Sequence, residues 1–536
     1  MVVRTATTAA WLLDVVPEVL DDVRVQLLFT IAHGSAYEDG AIDTLNEADV
    51  RVVPWEQATS SRFDLAICAS HSGALDELDG PLLVLPHGPG YTRLVSVPSA
   101  GWARAPRNSS DGAPTTVVLS HGEQRRQWDG RPGVHTEVTG DPCFDALLAS
   151  TADRDRLRSA LGVHASQRLV VVSSTWGGGA LLGTRPELPS ELLATLPSDE
   201  NVVAAILHSN VWIAHGRWQV RTWLQRALDA GLRLVPYQAG WRGTVAAADC
   251  VVGDHGSVTF YAATIGVPVI LAAYAPDELV AGSPLAALGE LAPRLDDDAR
   301  HQIETVAGPP DPERYAEHAA RMFAYRGEAL VRLRRLVYEL IDLTPPRHLP
   351  RVLRVGLPRP ETRRVDAHRV VARVRTDIEP LRVTLERSPA ALGSPQDSSL
   401  PESHLVVDDR ERDYRLRESA AVLVRRDHPA DPGWCAATLG RYPGCRVALA
   451  AGTPLTRAEA LVRGGPALLV DIDNDGDALL AGCAIYAVSI TRTADSRWPA
   501  RVDLTAGARG ASLRITRRES AGAPPRPTSR CRPAES

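Results

Sequence analysis

The feature that most limits how this chain can fold is an alternation that occurs twice in succession. Short β-branched runs are each followed by a helix-like stretch over roughly the first 345 residues. Alternation of this kind predicts α/β domains with parallel sheets covered by helices. The first series places strands at Val25–Ile31, Val50–Val53, Phe63–Ala69, Pro81–Leu85, Thr116–Leu119 and Glu137–Thr139, within a domain spanning residues 1–150. The second places them at Arg168–Ser173, Val202–Leu207, Arg233–Pro236, Cys250–Gly253 and Val267–Ala272, within residues 151–345. Helices are expected at Glu191–Leu196, Trp218–Ala230 and Val258–Ile265. A long one starts at Asp311–Pro312, continues past Met322, Ala329, Leu333, Leu336 and Leu340, and stops at Pro345–Pro346. Its cluster Arg332–Arg335 reads as a solvated face.

After Pro350 the texture changes. Short runs at Val352–Val355, Val370–Val374, Leu381–Leu385, Leu405–Val407, Val422–Val424, Arg446–Leu449, Leu468–Ile472, Ala484–Val488 and Ser512–Ile515 are separated by turn residues. They predict a smaller β-rich domain over residues 350–518, interrupted by a polar linker near Gly393–Ser403. Residues 519–536 are rich in Pro, Ser and Arg and are expected to be disordered.

Composition excludes several chemistries. All 59 basic residues are arginine, so a P-loop NTPase of the usual kind, a lysine Schiff-base aldolase and a pyridoxal-phosphate enzyme are ruled out for want of an amine. The formal charge of −6 gives no basic excess to suggest a nucleic-acid partner. The seven cysteines form no Cys-x-x-Cys pair and read as free thiols in a reducing compartment. The longest apolar runs, such as Val267–Tyr274, fall far short of the ~18 residues of a membrane span. The early acids Asp14, Glu18, Asp21 and Asp22 do not fit a signal peptide, and a cytoplasmic location is expected.

The strongest local motif is Val251-Val252-Gly253-Asp254-His255-Gly256-Ser257-Val258. An apolar strand ends in glycine, and Ser257 is placed to cap the next helix, whose first amides could face a phosphate. An ordinary capped turn accounts for the same residues. His87, in Leu85-Pro86-His87-Gly88-Pro89-Gly90, follows a strand on a bent loop, where an imidazole suits general-base work. His33, His71 and His121 also sit at strand ends. His208 ends another strand and could donate to a diphosphate oxygen. Thr175-Trp176 precedes Gly177-Gly178-Gly179, a run that could wrap a phosphate but lacks GxGxxG spacing. Asp471-Ile472-Asp473-Asn474-Asp475-Gly476 opens like an EF-hand, but position twelve is Gly482, so a hairpin turn is expected there. HExxH and Gly-x-Ser-x-Gly motifs are both missing from the sequence, and no metal site is expected.

Taken in order, these segments resemble the CDP-glycerol glycerophosphotransferase family of teichoic-acid polymerases, over residues up to about 345. The family's His-Gly motif is similar to His87-Gly88. Its Gly-x-Pro-x-x-Asp segment is similar to Gly140-Asp141-Pro142-Cys143-Phe144-Asp145, its Thr-Trp to Thr175-Trp176 and its second-domain histidine to His208. Its Ser-Asp-Tyr-Ser-Ser-Val loop is similar to Gly253-Asp254-His255-Gly256-Ser257-Val258. There are departures: Gly256 stands for the first of the paired serines, Gly177 for an arginine and Tyr261 for an acid. Only Arg93 can supply the basic residue after His-Gly.

The resemblance implies a GT-B-like pair of Rossmann-like domains and a transferase. Such an enzyme moves a glycosyl or glycerophosphoryl group from a nucleotide-diphosphate donor to an acceptor hydroxyl, on a cell-envelope polymer or small molecule. In that reading His87 and His208 are catalytic. Thr175, Trp176, Gly256, Ser257, Arg242 and Arg93 hold the donor, and no cofactor is needed. A non-catalytic nucleotide-sugar-binding scaffold on the same fold is the alternative. A sugar-nucleotide 2-epimerase would need acids, for which Asp39 and Glu56 are the candidates.

Overall fold

The structure, a computed structural model, describes all residues except 71–72, 93–114, 239, 394–402, 427–431, 453–454, 475–476, 493–496 and 519–536. The expected tail at 519–536 therefore lies outside the described residues. The chain divides into two units, residues 1–365 and 366–536.

The first unit holds two parallel sheets. β1 (Val2–Val3), β2 (Thr30–Ile31), β3 (Ala66–Cys68), β4 (Leu82–Val84), β5 (Thr115–Leu119) and β6 (Val134–Val138) lie in the order β2-β1-β3-β4-β5-β6. The sheet begins earlier than the sequence suggests, because a two-residue strand shows no period. β1 is followed at once by helix Ala6–Val19, whose start is fixed by a reciprocal capping box between Thr5 and Thr8. Of the expected strand Val25–Ile31 only Thr30–Ile31 enters the ladder, and Val52 makes an isolated bridge to Phe29.

The second sheet contains β7 (Arg168–Ser174), β8 (Asn201–Leu207), β9 (Arg233–Val235), β10 (Cys250–Gly253) and β11 (Val269–Leu271), ordered β11-β10-β7-β8-β9. All its pairings are parallel. β8 is buried along its whole length, which is why it reads as a continuous apolar run rather than an alternating one. Strand order reverses between β7 and β10. Connections leave these neighbours toward opposite sides, which opens a crevice at their carboxyl ends.

The expected long helix is two helices, Ala316–Met322 and Ala329–Leu340. Tyr325 and Gly327 take left-handed backbone between them, with φ of 51° and 80°. The first helix stays with the second sheet, where Met322 and Phe323 join a core that includes Phe144, Phe260 and Tyr261. The second helix crosses to the first sheet and packs Leu330, Leu333, Val337 and Tyr338 against a core that includes Leu12, Val16 and Leu45. Arg334 is not on a solvated face. It is buried and binds Asp21 at 2.7 Å, the His348 carbonyl at 2.8 Å and the Glu18 carbonyl. The expected strand Val352–Val355 joins no sheet. It belongs to an extended connector that meets the sheet only at Glu361, which bridges to Leu234.

The second unit is a closed barrel of β12 (Ala367–Arg375), β13 (Leu381–Pro389), β14 (Ser403–Asp408), β15 (Val422–Arg425), β16 (Val447–Ala451), β17 (Arg457–Val462), β18 (Ala467–Asn474), β19 (Arg501–Ala506) and β20 (Arg509–Arg517). Helix Ala478–Thr491 fills it, touching β12 to β17 and β19. This corrects two expectations. Ala484–Val488 is helix rather than strand, and the strand that ends at Asn474 is followed in the chain by that helix rather than by the second strand of a hairpin, with residues 475–476 outside the described residues. Apolar residues on all sides let the segment pass for strand by hydropathy, and a helix apolar all round must be buried. Asp477 caps it by accepting the Leu479 N–H at 2.8 Å, and the buried Arg387 pairs with that carboxylate at 2.9 Å. Among the described residues, no helix is long and apolar enough to cross a membrane.

The barrel has no room to spare at Gly482, where a Cβ would lie 2.9 Å from Val422 Cγ1 and 3.2 Å from Val424 Cγ2. Gly482→Val is expected to overpack the interior and cost about 1–3 kcal/mol. Calorimetry should show a lowered barrel transition.

Candidate functional site

The crevice between β7 and β10 opens into a cleft of about 640 Å3, lined by residues from both halves of the first unit. His87, His208, Thr175, Gly256, Ser257 and Arg242 all line it. Trp176 stands beside it, edge-on to Tyr37 at 5.7 Å and 6.3 Å from the His208 ring. Arg93 and His71 lie outside the described residues. Asp39 and Glu56 do not line the cleft.

The turn after β10 is organised differently from the expectation. Gly256, not Ser257, is the cap residue of helix Ser257–Thr264, and no side chain caps it. The Ser257 hydroxyl is therefore not spent on the helix. The first intrahelical bond runs from Phe260 N–H to the Gly256 carbonyl, so the amides of Ser257, Val258 and Thr259 precede the ladder and carry the positive end of the dipole. Gly256 has little space for a side chain, since a Cβ there would lie 2.9 Å from Asp254 Oδ1 and 3.1 Å from Thr175 Cβ.

Asp254 was not among the candidate residues, yet it organises this wall. It is wholly buried, and its Oδ2 accepts the Thr175 N–H at 2.8 Å and the Leu181 N–H at 2.9 Å. Its Oδ1 accepts the Gly256 N–H at 2.9 Å. Burial raises its pKa despite these bonds. The available signal was an acid placed directly after a fully apolar strand, with no arginine nearby in sequence. His255 is also buried. Its Nδ1 accepts the Ala275 N–H at 3.3 Å and its Nε2 meets Glu278 at 3.2 Å, so it braces the turn from behind.

The two cleft histidines hold opposite tautomers when neutral, as their partners dictate. His87 Nδ1 bonds the Ala69 carbonyl, which can only accept, so the proton is on Nδ1 and the lone pair on Nε2. Desolvation lowers the His87 pKa below the ordinary imidazole value, and the hydrogen bond to Ala69 opposes this only in part. His208 Nδ1 accepts the Asn210 N–H at 3.1 Å, so its proton sits on Nε2. One ring is disposed to take a proton and the other to donate a hydrogen bond. The His87 loop reaches the opposite wall, since a Cβ on Gly88 would lie 3.9 Å from Ser257 Cβ.

Each arginine that lines the cleft is already paired. Arg242 holds Asp14 of helix Ala6–Val19, Arg351 holds Glu18 at 2.7 Å and Arg354 holds Asp153 at 2.8 Å. Arg242 thus ties the two halves together across the cleft, as does the 2.6 Å contact between the Thr7 and Ser209 hydroxyls. The segment Gly140–Asp145 is a joint. Asp141 caps helix Pro142–Ser150 by accepting the Phe144 N–H at 2.7 Å, and it accepts the Tyr261 hydroxyl at 2.9 Å. Burial pushes its pKa up to about 6. Among the described residues, no group of three or more His, Cys, Asp or Glu side chains is arranged to hold a metal ion.

No protein-family model matches the chain, and no curated protein matches it. Solved structures do show likeness. A variant of the wall teichoic acid polymerase TagF aligns at 12% identity over 63% of this chain and 87% of its own, with a TM-score of 0.40. HepE from Anabaena, in complex with UDP and glucose, aligns at 15% identity over 64% and 98%, with a TM-score of 0.37. UDP-GlcNAc 2-epimerase from Neisseria meningitidis, bound to UDP-GlcNAc, aligns at 11% identity over 64% and 98%, with a TM-score of 0.34.

Gly256→Ser is expected to destabilise the first unit by about 1–3 kcal/mol, because Asp254 and Thr175 must give way. Chemical denaturation should detect the loss, and an unchanged midpoint would show that the wall yields freely.

Proposed function

We propose that residues 1–345 form a GT-B-type transferase. It moves a glycosyl or glycerophosphoryl group from a nucleotide-diphosphate donor to an acceptor hydroxyl. The observation that carries this reading is the meeting of a proton-accepting imidazole with a helix N-terminus, across a cleft at a topological switch point.

In this reading the donor diphosphate rests against Ser257, the amides of Ser257 to Thr259 and the Thr175-Trp176 strand end. His87 Nε2 takes the proton of the acceptor hydroxyl as its oxygen bonds to the reacting centre of the donor. The bond from that centre to the leaving phosphate oxygen breaks with its electron pair. The charge left there is met by the Ser257 hydroxyl, the helix amides and the His208 Nε2–H. The paired arginines leave this work to neutral donors, with Arg93 the further cation the reading admits. Phosphates held by amides, hydroxyls and imidazole need no lysine, which suits a chain that has none.

The ion pairing of Arg242, Arg351 and Arg354 also favours the second reading, a scaffold that binds a nucleotide-sugar without turning it over. Calorimetric titration with CDP-, UDP-, GDP- and dTDP-linked donors, followed by a donor-hydrolysis assay, separates the two. Binding with turnover supports the transferase, whereas binding without it favours the scaffold.

For the active donor, His87→Ala is expected to lower kcat by about 10²- to 10⁴-fold while donor affinity holds. Ser257→Ala should lower it by a factor on the order of 10². A base works only when deprotonated, and the His87 pKa is lowered. The kcat/KM profile should therefore be level at neutral pH, with its acid limb below about pH 6.5. An acid limb above that value would take the base role from His87.

A further inference from the structure

We propose that Asp254 is the positioning residue of the donor site, setting the distance between the glycine loop and the helix N-terminus that together would cradle the diphosphate. This rests on the diphosphate reading above and adds a residue that acts without touching the ligand.

The hydrogen bonds make an unusual clamp. One oxygen, Oδ2, takes the amides of both Thr175 and Leu181, the two residues that bracket Trp176-Gly177-Gly178-Gly179-Ala180. The loop is thus closed upon a single atom. The other oxygen takes the amide of Gly256, the cap residue of helix Ser257–Thr264. Within the loop the Ala180 N–H bonds the Gly177 carbonyl at 3.2 Å, and Gly177 takes a φ of 101° that glycine allows. The register of the loop against the helix therefore depends on a carboxylate that can serve three donors at once. A carboxylate can do so because both its oxygens only accept, whereas an asparagine offers one oxygen and an NH₂ group.

This clamp carries a cost that sharpens the test. A buried negative charge beside an anion site repels the anion. Its retention is unfavourable for diphosphate binding unless positioning outweighs charge. The two effects predict opposite signs when the charge is removed. In Asp254→Asn either the Gly256 amide or the pair at Thr175 and Leu181 faces an NH₂ group, whichever way the side chain turns. Asp254→Glu keeps the charge and the acceptors but lengthens the arm by one methylene.

The test uses the full chain, with inorganic pyrophosphate and CDP as titrants, at a temperature well below the unfolding midpoint of every variant. Positioning predicts that both Asp254→Asn and Asp254→Glu weaken pyrophosphate binding by at least tenfold. It also predicts faster amide exchange in peptides spanning 174–182, with the remainder of the second sheet unchanged. A pure charge effect predicts tighter binding in Asp254→Asn and no change in Asp254→Glu, and would overturn the proposal. So would a merely structural role, which lowers the midpoint and leaves both affinities alone. Either variant that unfolds cooperatively is sufficient to decide. Wild-type protein that binds neither titrant removes the diphosphate reading itself, an outcome distinct from wild-type binding that the variants fail to weaken.

Discussion

The first unit depends on the two bonds that Asp145 makes to the returning chain. Its Oδ1 accepts the Gly327 N–H at 2.7 Å and its Oδ2 the Ala329 N–H at 3.1 Å. Those amides belong to the break between helices Ala316–Met322 and Ala329–Leu340, and a helix start leaves such donors without intrahelical partners. Ala329 is buried, so leaving its amide unpaired would cost a full desolvation penalty, while Gly327 lies at the exposed rim of the joint. Asp145 removes that cost at the point where the chain passes from one sheet to the other, so the crossing helix can bury Leu330, Leu333 and Val337 in the first core. This joint holds the two halves side by side together with the Arg242–Asp14 and Thr7–Ser209 contacts across the cleft.

The same device recurs at three other buried turns. Asp141 caps its own helix and takes the Tyr261 hydroxyl, Asp249 takes the Leu169 amide at 2.7 Å together with Arg154 and Arg158, and Asp254 takes three amides. Each is a carboxylate satisfying backbone donors that water cannot reach. Tyr261 gives its hydroxyl to Asp141, and at Gly256 a Cβ would crowd both Asp254 and Thr175.

What the sequence revealed follows the size of the signal. β7, β8 and β10 were legible because parallel strands buried on both faces become unbroken apolar runs. β1 was not, since Val2–Val3 has no period and its place is fixed by pairing with Thr30, Ile31 and Cys68 far along the chain. The break at Tyr325–Gly327 was hidden by apolar spacing that continues at helical period across it, although the two halves face different cores. Helix Ala478–Thr491 was hidden for the opposite reason: a segment apolar on every side has no period at all. At the site, His87, His208 and Ser257 were visible as polar residues at strand ends. Asp254 was passed over because two of its three backbone bonds go to Thr175 and Leu181, on a loop far away along the chain, which sequence spacing does not record.

The pairing of every cleft-lining arginine bears on how an anion could be held at all. Asp14, Glu18 and Asp153 neutralise Arg242, Arg351 and Arg354, and all three pairs join elements from different parts of the unit. Cations used this way hold the walls in place and contribute little net field inside the cleft. An anion bound there would draw its stabilisation from oriented amides, a hydroxyl and an imidazole N–H, whose partial charges act over short range and require close contact. Such a site discriminates by fit more than by charge, so small displacements of its walls matter more than they would around a free guanidinium. That gives a physical reason for spending a buried carboxylate on holding the glycine loop and the helix N-terminus at a fixed distance.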